Sequence, residues 1–272
     1  MNIVILLLVL AAGLSAAMTA AWNIAVRTGR SGWIDAIWSL AIGVAGLVGA
    51  LVPFGSGRLT TRQMVVAALV AAWSARLAAH IAQRTMRGGD DPRYAWLRQE
   101  WGGAYRRRLF LFLQIQAGCG FLLALSILIA AHNPAPGLRA GDTLGVLLLV
   151  VAILGEAVAD RQLARFRADP KNRGRVCDAG LWGVSRHPNY FFEWLGWLAY
   201  PAIAIDPTAY AWGWVALCGP MLMYWLLVYA SGIPPLEAHM LRSRGAAFRA
   251  YQGRVNAFWP GPPRARRQTE PS

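Results

Sequence analysis

The sequence predicts an all-α fold: an integral membrane bundle of about seven transmembrane helices, with its N-terminus outside and its C-terminus cytoplasmic. Three observations carry this. Hydrophobic residues make up 56% of the 272-residue chain and charged ones only 15%, and the mean hydropathy is +0.37, which moves the composition from the soluble to the membrane class. Seven stretches are apolar over the roughly 20 residues that a helix needs to cross a hydrocarbon core about 30 Å thick. Basic residues, finally, are concentrated in alternate connections.

In chain order the seven stretches run over 2–26, 33–54, 61–86, 108–131, 143–160, 190–206 and 210–230. The fifth and sixth are the shortest. Backbone amides in lipid must be satisfied within their own segment, and none of the stretches shows the strict alternation of a barrel strand, so each reads as a helix. The first has no basic leader and reads as a retained helix rather than a cleaved signal. The connections after the first, third and fifth stretches, with the C-terminal tail, hold 23 of the 27 basic residues. That excess assigns them to the cytoplasm, as in a multi-pass protein of a bacterial inner membrane. No internal repeat stands out. A single transmembrane domain is expected over 1–260, followed by a disordered basic tail over 261–272, "GPPRARRQTEPS".

A formal charge of +14 would suit nucleic acid, but the arginines abut apolar spans. Anionic lipid headgroups or a phosphorylated cofactor are the nearer partners, and no nucleic acid is expected. Cys119, Cys177 and Cys218 are dispersed, as are the four histidines, so neither a disulfide framework nor a metal site is implied. With no Gly-rich phosphate loop after a strand and no P-loop, any cofactor has to be held by the bundle itself.

Ionisable residues inside spans are costly and by default mark function. Here they are Asp35, Arg76, His80, Glu156, Asp160 and Glu193. Helical spacing puts Glu156, Asp160 and Arg167 on one stripe, and Asn189 and Glu193 on a second. In "SRHPNYFFEW" Pro188 suits the first turn of a helix, whose free N–H groups favour an anion. Arg167, Arg173, Arg175 and Arg186 are close by in sequence, which suits either a phosphate-bearing ligand or a solvated basic surface. Trp73, Trp194 and Trp197 fall within spans, where they either pack or line a cavity for a flat apolar substrate.

The run "DRQLARFRADPKNRGRVCDAGLWGVSRHPNYFFEWLGW", followed by "AFRAYQGRVNAFWP", resembles the membrane-embedded steroid 5-alpha-reductase superfamily, in particular its bacterial branch. The resemblance spans roughly residues 30–260, and "GLWGVSRHPNYFFE" at 180–193 is its most specific part. It implies a seven-helix reductase that binds NADPH in a cavity open to the cytosol. The implied reaction saturates the carbon–carbon double bond of an enone lipid such as a 3-oxo-4-ene steroid. By resemblance Asp160, Arg167, Arg175 and Asn189 match cofactor contacts, Glu193 lies beside the nicotinamide, and Arg76 and Arg87 reach the cofactor from the third helix and the loop after it. Arg186, His187 and Tyr190 of the motif, and His239 further on, belong to the same implied cofactor set.

Asp35 sits where that family has a Glu that polarises the substrate ketone. Desolvation would disfavour its charge, so it is expected to stay protonated and donate a hydrogen bond to the oxygen on which charge develops. The pattern is also departed from. Trp73 stands where the steroid enzymes carry a ketone-binding Tyr, Glu156 replaces an Asn, and Gly232 lies near an expected Arg. Glu237 and His239 resemble the acidic and His positions of the sterol-reductase branch.

Two other readings stay open. "RHPNY" with a later acid and a basic tail also resembles membrane methyltransferases for isoprenylcysteine or phospholipids, which use S-adenosylmethionine. A non-enzymatic transporter is the third, although the paired repeats and broken helices common in transporters are not evident.

Overall fold

A computed structural model describes residues 2–54, 57–86 and 91–264, and the secondary structure in these ranges is helical. Among the described residues six helical segments are long and apolar enough to cross a membrane: Ile3–Thr28, Trp33–Leu51, Thr61–Met86, Arg93–Ala131, Ala140–Ala168 and Ala211–Arg254. This is the pattern of a multi-pass integral membrane protein. The expected stretch at 190–206 is built as two shorter helices, α7 (Pro188–Trp197) and α8 (Ala199–Ala204), of 10 and 6 residues. Neither reaches the length of a span by itself.

The chain divides into two compact units that interleave in sequence: Met1–Leu149 with Trp197–Leu222, and Val150–Gly196 with Met223–Ser272. In the first unit, helices α1 (Ile3–Thr28), α2 (Trp33–Leu51), α3 (Thr61–Met86) and α5 (Tyr105–Ala131) pack together. Small residues on α2 let its neighbours come close. A Cβ on Gly43 would collide with the Ser74 side chain of α3, and one on Gly46 would meet Ile127 of α5 at 2.8 Å and Val70 of α3 at 2.9 Å. Small residues of this kind allow membrane helices to gain van der Waals contact where lipid supplies no hydrophobic drive. Hydrogen bonds tie the same helices: Ser74 Oγ donates to the Ser39 carbonyl at 3.0 Å, and Trp38 Nε1 to that of Gln116 at 2.9 Å.

Helix ends follow local chemistry. Asn2 caps α1 through its side chain at Val4 N–H, and α1 stops at Gly29, whose φ of 71° suits glycine. The long polar connection over 84–107 contains its own helix, α4 (Pro92–Trp101), started by Asp91 as cap and Pro92 in the first turn. The opposite end of this unit is closed by a buried ion pair. The Arg62 guanidinium meets the Asp142 carboxylate at 2.7 and 2.9 Å and donates to the carbonyls of Asn133, Ala135 and Gly137 at 2.6–2.8 Å. Asn133 in turn donates to the carbonyls of Ile203 and Ala204.

The second unit holds the end of α6 (Ala140–Ala168), α7 (Pro188–Trp197), the end of α9 (Cys218–Trp225), a π turn over Leu226–Ala230, and α10 (Ile233–Arg254). The expected loop over 161–189 is therefore helical for its first eight residues. Two 3-10 turns, Pro170–Asn172 and Gly180–Gly183, carry the rest to α7. α10 bends at Gly245, which takes φ +49°.

Candidate functional site

The motif at 180–193 is built in the second unit as a 3-10 turn, a short link and the first turns of α7. Each piece is fastened by side chains to α6 or to the segment around α10. Leu181 N–H donates to Gln162 Oε1 at 2.9 Å, and Trp182 Nε1 donates to the Ala159 carbonyl at 3.0 Å. Tyr251 O–H donates to the Trp182 carbonyl at 2.6 Å. Ser185 O–H reaches the Phe258 carbonyl at 2.9 Å, and its oxygen accepts from His187 N–H. A helix starting from so many anchors has its first residues fixed in direction.

At the centre lies Glu237 of α10. Its carboxylate accepts from Arg186 Nε at 2.7 Å and from Gln252 Nε2 at 2.7 Å, and it meets His187 Nε2 at 3.0 Å. A carboxylate only accepts, so the neutral imidazole carries its hydrogen on Nε2 here. The His187 ring stacks on Tyr190 with centroids 5.5 Å apart. Arg186 also donates to the carbonyls of Gln252 and Val255. Its fork is thus committed to holding the motif in place, and Arg186 and His187, expected as cofactor contacts, face Glu237. Burial pushes the His187 imidazole below its usual pKa, against the opposing pull of Glu237.

The helical stripes appear as expected. α6 runs without interruption through Glu156, Asp160 and Arg167, with Glu156 buried, Asp160 half-buried and Arg167 exposed. α7 begins at Pro188 and carries Asn189, Tyr190 and the buried Glu193. Asn189 Oδ1 accepts from Tyr190 N–H at 3.1 Å. Arg175 and His239 are both exposed. His239 is two residues from Glu237 and therefore on a different face of α10. Phe191 and Trp194 of α7 pack by ring edges and faces on Tyr224, Phe258 and Trp259.

In the first unit Asp35, Trp73 and Arg76 are described, whereas Arg87 lies outside the described residues. Trp73 is buried, edge-on to Trp197 at 5.0 Å. Asp35 accepts from Tyr94 O–H at 3.0 Å and pairs with Arg93, which also grips Asp91. Asp35, expected as the acid that activates a ketone, is thus met by a guanidinium and a phenol O–H, both of which donate to it. Sequence reasoning passed over Arg93, Tyr94 and Gln252 because each lies in a polar segment where an isolated Arg, Tyr or Gln is ordinary. The "DDPRY" capping run was the available signal for the first two. Among the described residues no group of three or more His, Cys, Asp or Glu gathers as a metal site would require.

Comparison with known proteins adds two findings. Over 273 aligned positions the chain is 27% identical to "Uncharacterized protein C594.04c" of Schizosaccharomyces pombe, covering 88% of this chain and 75% of the relative. No solved structure matches. Residues 21–255 match the family described as "Protein of unknown function (DUF1295)", a match that takes in both stripes, the "RHPNY" motif and Glu237, and the chain belongs to that family.

Proposed function

We propose that this protein is a seven-span membrane reductase, N-terminus outside and C-terminus cytoplasmic, that uses NADPH to saturate the double bond of an enone lipid such as a 3-oxo-4-ene steroid. The observation that carries this reading is the graded stripe on α6 beside the anchored start of α7. Within one compact unit the side chains pass from buried carboxylates, Glu156 and Glu193, to exposed cations, Arg167 and Arg175. That grading fits a long amphipathic cofactor. The cations suit its phosphates, and the buried carboxylates and aromatic rings suit its uncharged ring system. NADPH, when bound, supplies the hydride.

The chain supplies the rest. Arg167 and Arg175 bind phosphate, Asp160 and Asn189 orient the ribose and amide groups, and Glu193 bounds the pocket on the α7 side. The Arg186–His187–Glu237 contact holds α7 at the angle this requires.

The same Arg186–His187–Glu237 contact also suits the methyltransferase reading, because it joins "RHPNY" to the later acid on which that likeness rests. Cofactor binding separates the two. Thermal unfolding of the detergent-purified protein is measured with NADPH, NADH and S-adenosylmethionine. A ligand that binds only the folded state raises stability by about 2.7 kcal/mol at a hundred times its Kd. NADPH is expected to raise the melting temperature, and Arg167→Ala and Asn189→Ala are expected to abolish the rise. Stabilisation by S-adenosylmethionine alone would overturn the reductase reading.

A further inference from the structure

The end of the first unit opposite α4 holds a histidine that faces more acceptors than a neutral ring can meet. His132 caps α5, half-buried, with its ring beside that of Phe54, centroids 4.7 Å apart. Its Nδ1 lies 2.9 Å from the Leu128 carbonyl, one turn back in α5, and its Nε2 lies 3.0 Å from the Val52 carbonyl at the end of α2. A carbonyl only accepts, and a neutral imidazole carries one hydrogen for its two nitrogens. Either neutral form therefore sets a nitrogen lone pair against a carbonyl oxygen at 3.0 Å or less. The imidazolium, with a hydrogen on each nitrogen, donates to both.

Gln63, at the start of α3, does not relieve this. Its Nε2 is 3.3 Å from His132 Nε2 but nearer to two carbonyls, Ala50 at 2.9 Å and Val52 at 3.1 Å, which take its two hydrogens. The amide is held in this sense because its Oε1 accepts from Thr60 N–H at 2.9 Å. The Leu128 and Val52 carbonyls also belong to the C-terminal ends of α5 and α2, where helix dipoles favour positive charge. The charged groups on the neighbouring elements are Arg58 and Arg62 around the start of α3, Arg139 and Asp142 at the start of α6, and Asp206 after α8. Arg62 is paired with Asp142 and Arg139 with Asp206, both at 2.7 Å, and Arg58 is exposed. The two arginines on hand are thus neutralised by their own partners.

We infer that His132 is a proton-dependent clasp, which ties the end of α5 to the end of α2 when its ring is charged. When the proton leaves, Nδ1–H stays on Leu128 within α5, Nε2 turns acceptor toward Gln63, and the link to α2 is lost. On the orientation proposed above this end of the bundle faces outward, so the external pH sets the clasp.

The test reads the ring directly. Protein labelled with nitrogen-15 at histidine is purified in detergent, and its ring nitrogens are followed by NMR between pH 5.5 and 8. The His132 signals are those lost in His132→Phe or, should that variant not fold, those that survive in each of His80→Gln, His187→Gln and His239→Gln. At pH 7 both nitrogens of His132 are expected to carry hydrogen. An unprotonated nitrogen at that pH would overturn the inference.

Melting temperature gives a second readout. An unfolded histidine gives up its proton at about pH 6.5, so a proton held by the folded clasp adds stability that is full below that pH and is lost as the pH rises. Wild type is expected to melt about 2–4 °C further above His132→Phe at pH 5.5 than at pH 8, the shift that one added hydrogen bond brings in a chain of this size. Both proteins carry His187, whose own titration cancels in the difference. Parallel profiles would overturn the inference. In detergent both ends of the bundle meet the same pH, so neither result depends on the proposed orientation.

Discussion

Each unit contains an arginine–carboxylate pair, buried in the first and half-buried in the second, and the two are used differently. In the first, Arg62 and Asp142 are both 3% exposed, and the remaining donors of Arg62 go to the backbone carbonyls of Asn133, Ala135 and Gly137. In the second, Glu237 is shared among Arg186, His187 and Gln252, and Arg186 and Glu237 are 10% and 14% exposed. The first pair pins the connection between two spans. The second fixes the start of a short helix whose next residues are the candidate site. Identical pair chemistry thus serves as scaffold where its partners are backbone, and as positioning where they are side chains of a motif.

The largest effect is expected at the scaffold pair. Arg62→Leu leaves Asp142 charged, buried and without its guanidinium, which costs about 3–5 kcal/mol. Arg62→Leu/Asp142→Leu removes both charges and should recover part of that loss, because desolvating two ions offsets much of what their attraction returns. Thermal unfolding in detergent measures both. A single variant as stable as the wild type would remove the contrast between the pairs, since the first unit would then hold no indispensable ion pair.

A smaller loss is expected at the motif. Glu237→Gln keeps the shape but weakens three hydrogen bonds to charged or polar donors, at about 2 kcal/mol. The sharper expectation is functional. If Glu237 positions α7, its substitution weakens NADPH binding without touching the cofactor, and Glu237→Asp restores less than the wild-type effect because its shorter reach cannot meet Arg186 and Gln252 together. Cofactor titration of both variants, alongside Asn189→Ala, checks this.

These two pairs also mark where the sequence could be read. Long apolar spans announce themselves, so α1, α2, α3 and α5 were recognisable within a few residues. The stripe Glu156, Asp160 and Arg167 needed only helical spacing, and α6 proved continuous through all three. The anchoring of "RHPNY" was not legible from spacing. Arg186 and Gln252 are 66 positions apart and meet only because the end of α10 comes back to the motif, where Tyr251 O–H donates to the Trp182 carbonyl and Arg186 N–H to that of Asn256. The pairing of Asp35 was hidden for a related reason. An Asp in an apolar segment suggests a protonated acid, until a polar connection folds Arg93 and Tyr94 onto it.

The subtlest difference between the pairs is in their response to pH. Of the groups on Glu237, only His187 titrates near neutrality, and burial lowers its folded pKa below the ordinary 6.5. On acidification the unfolded chain therefore takes up this proton before the folded one does. The contribution of His187 is fully present above about pH 6.5 and is lost as the pH falls below it toward the folded value, at no more than about 1.4 kcal/mol per pH unit. His187→Gln has no proton to bind, so its melting temperature should fall less steeply between pH 6.5 and 5.5 than that of the wild type. Parallel pH profiles for the two proteins would mean that His187 gains as much from Glu237 on protonation as it loses by burial. The positioning pair would then be as insensitive to pH as the scaffold pair.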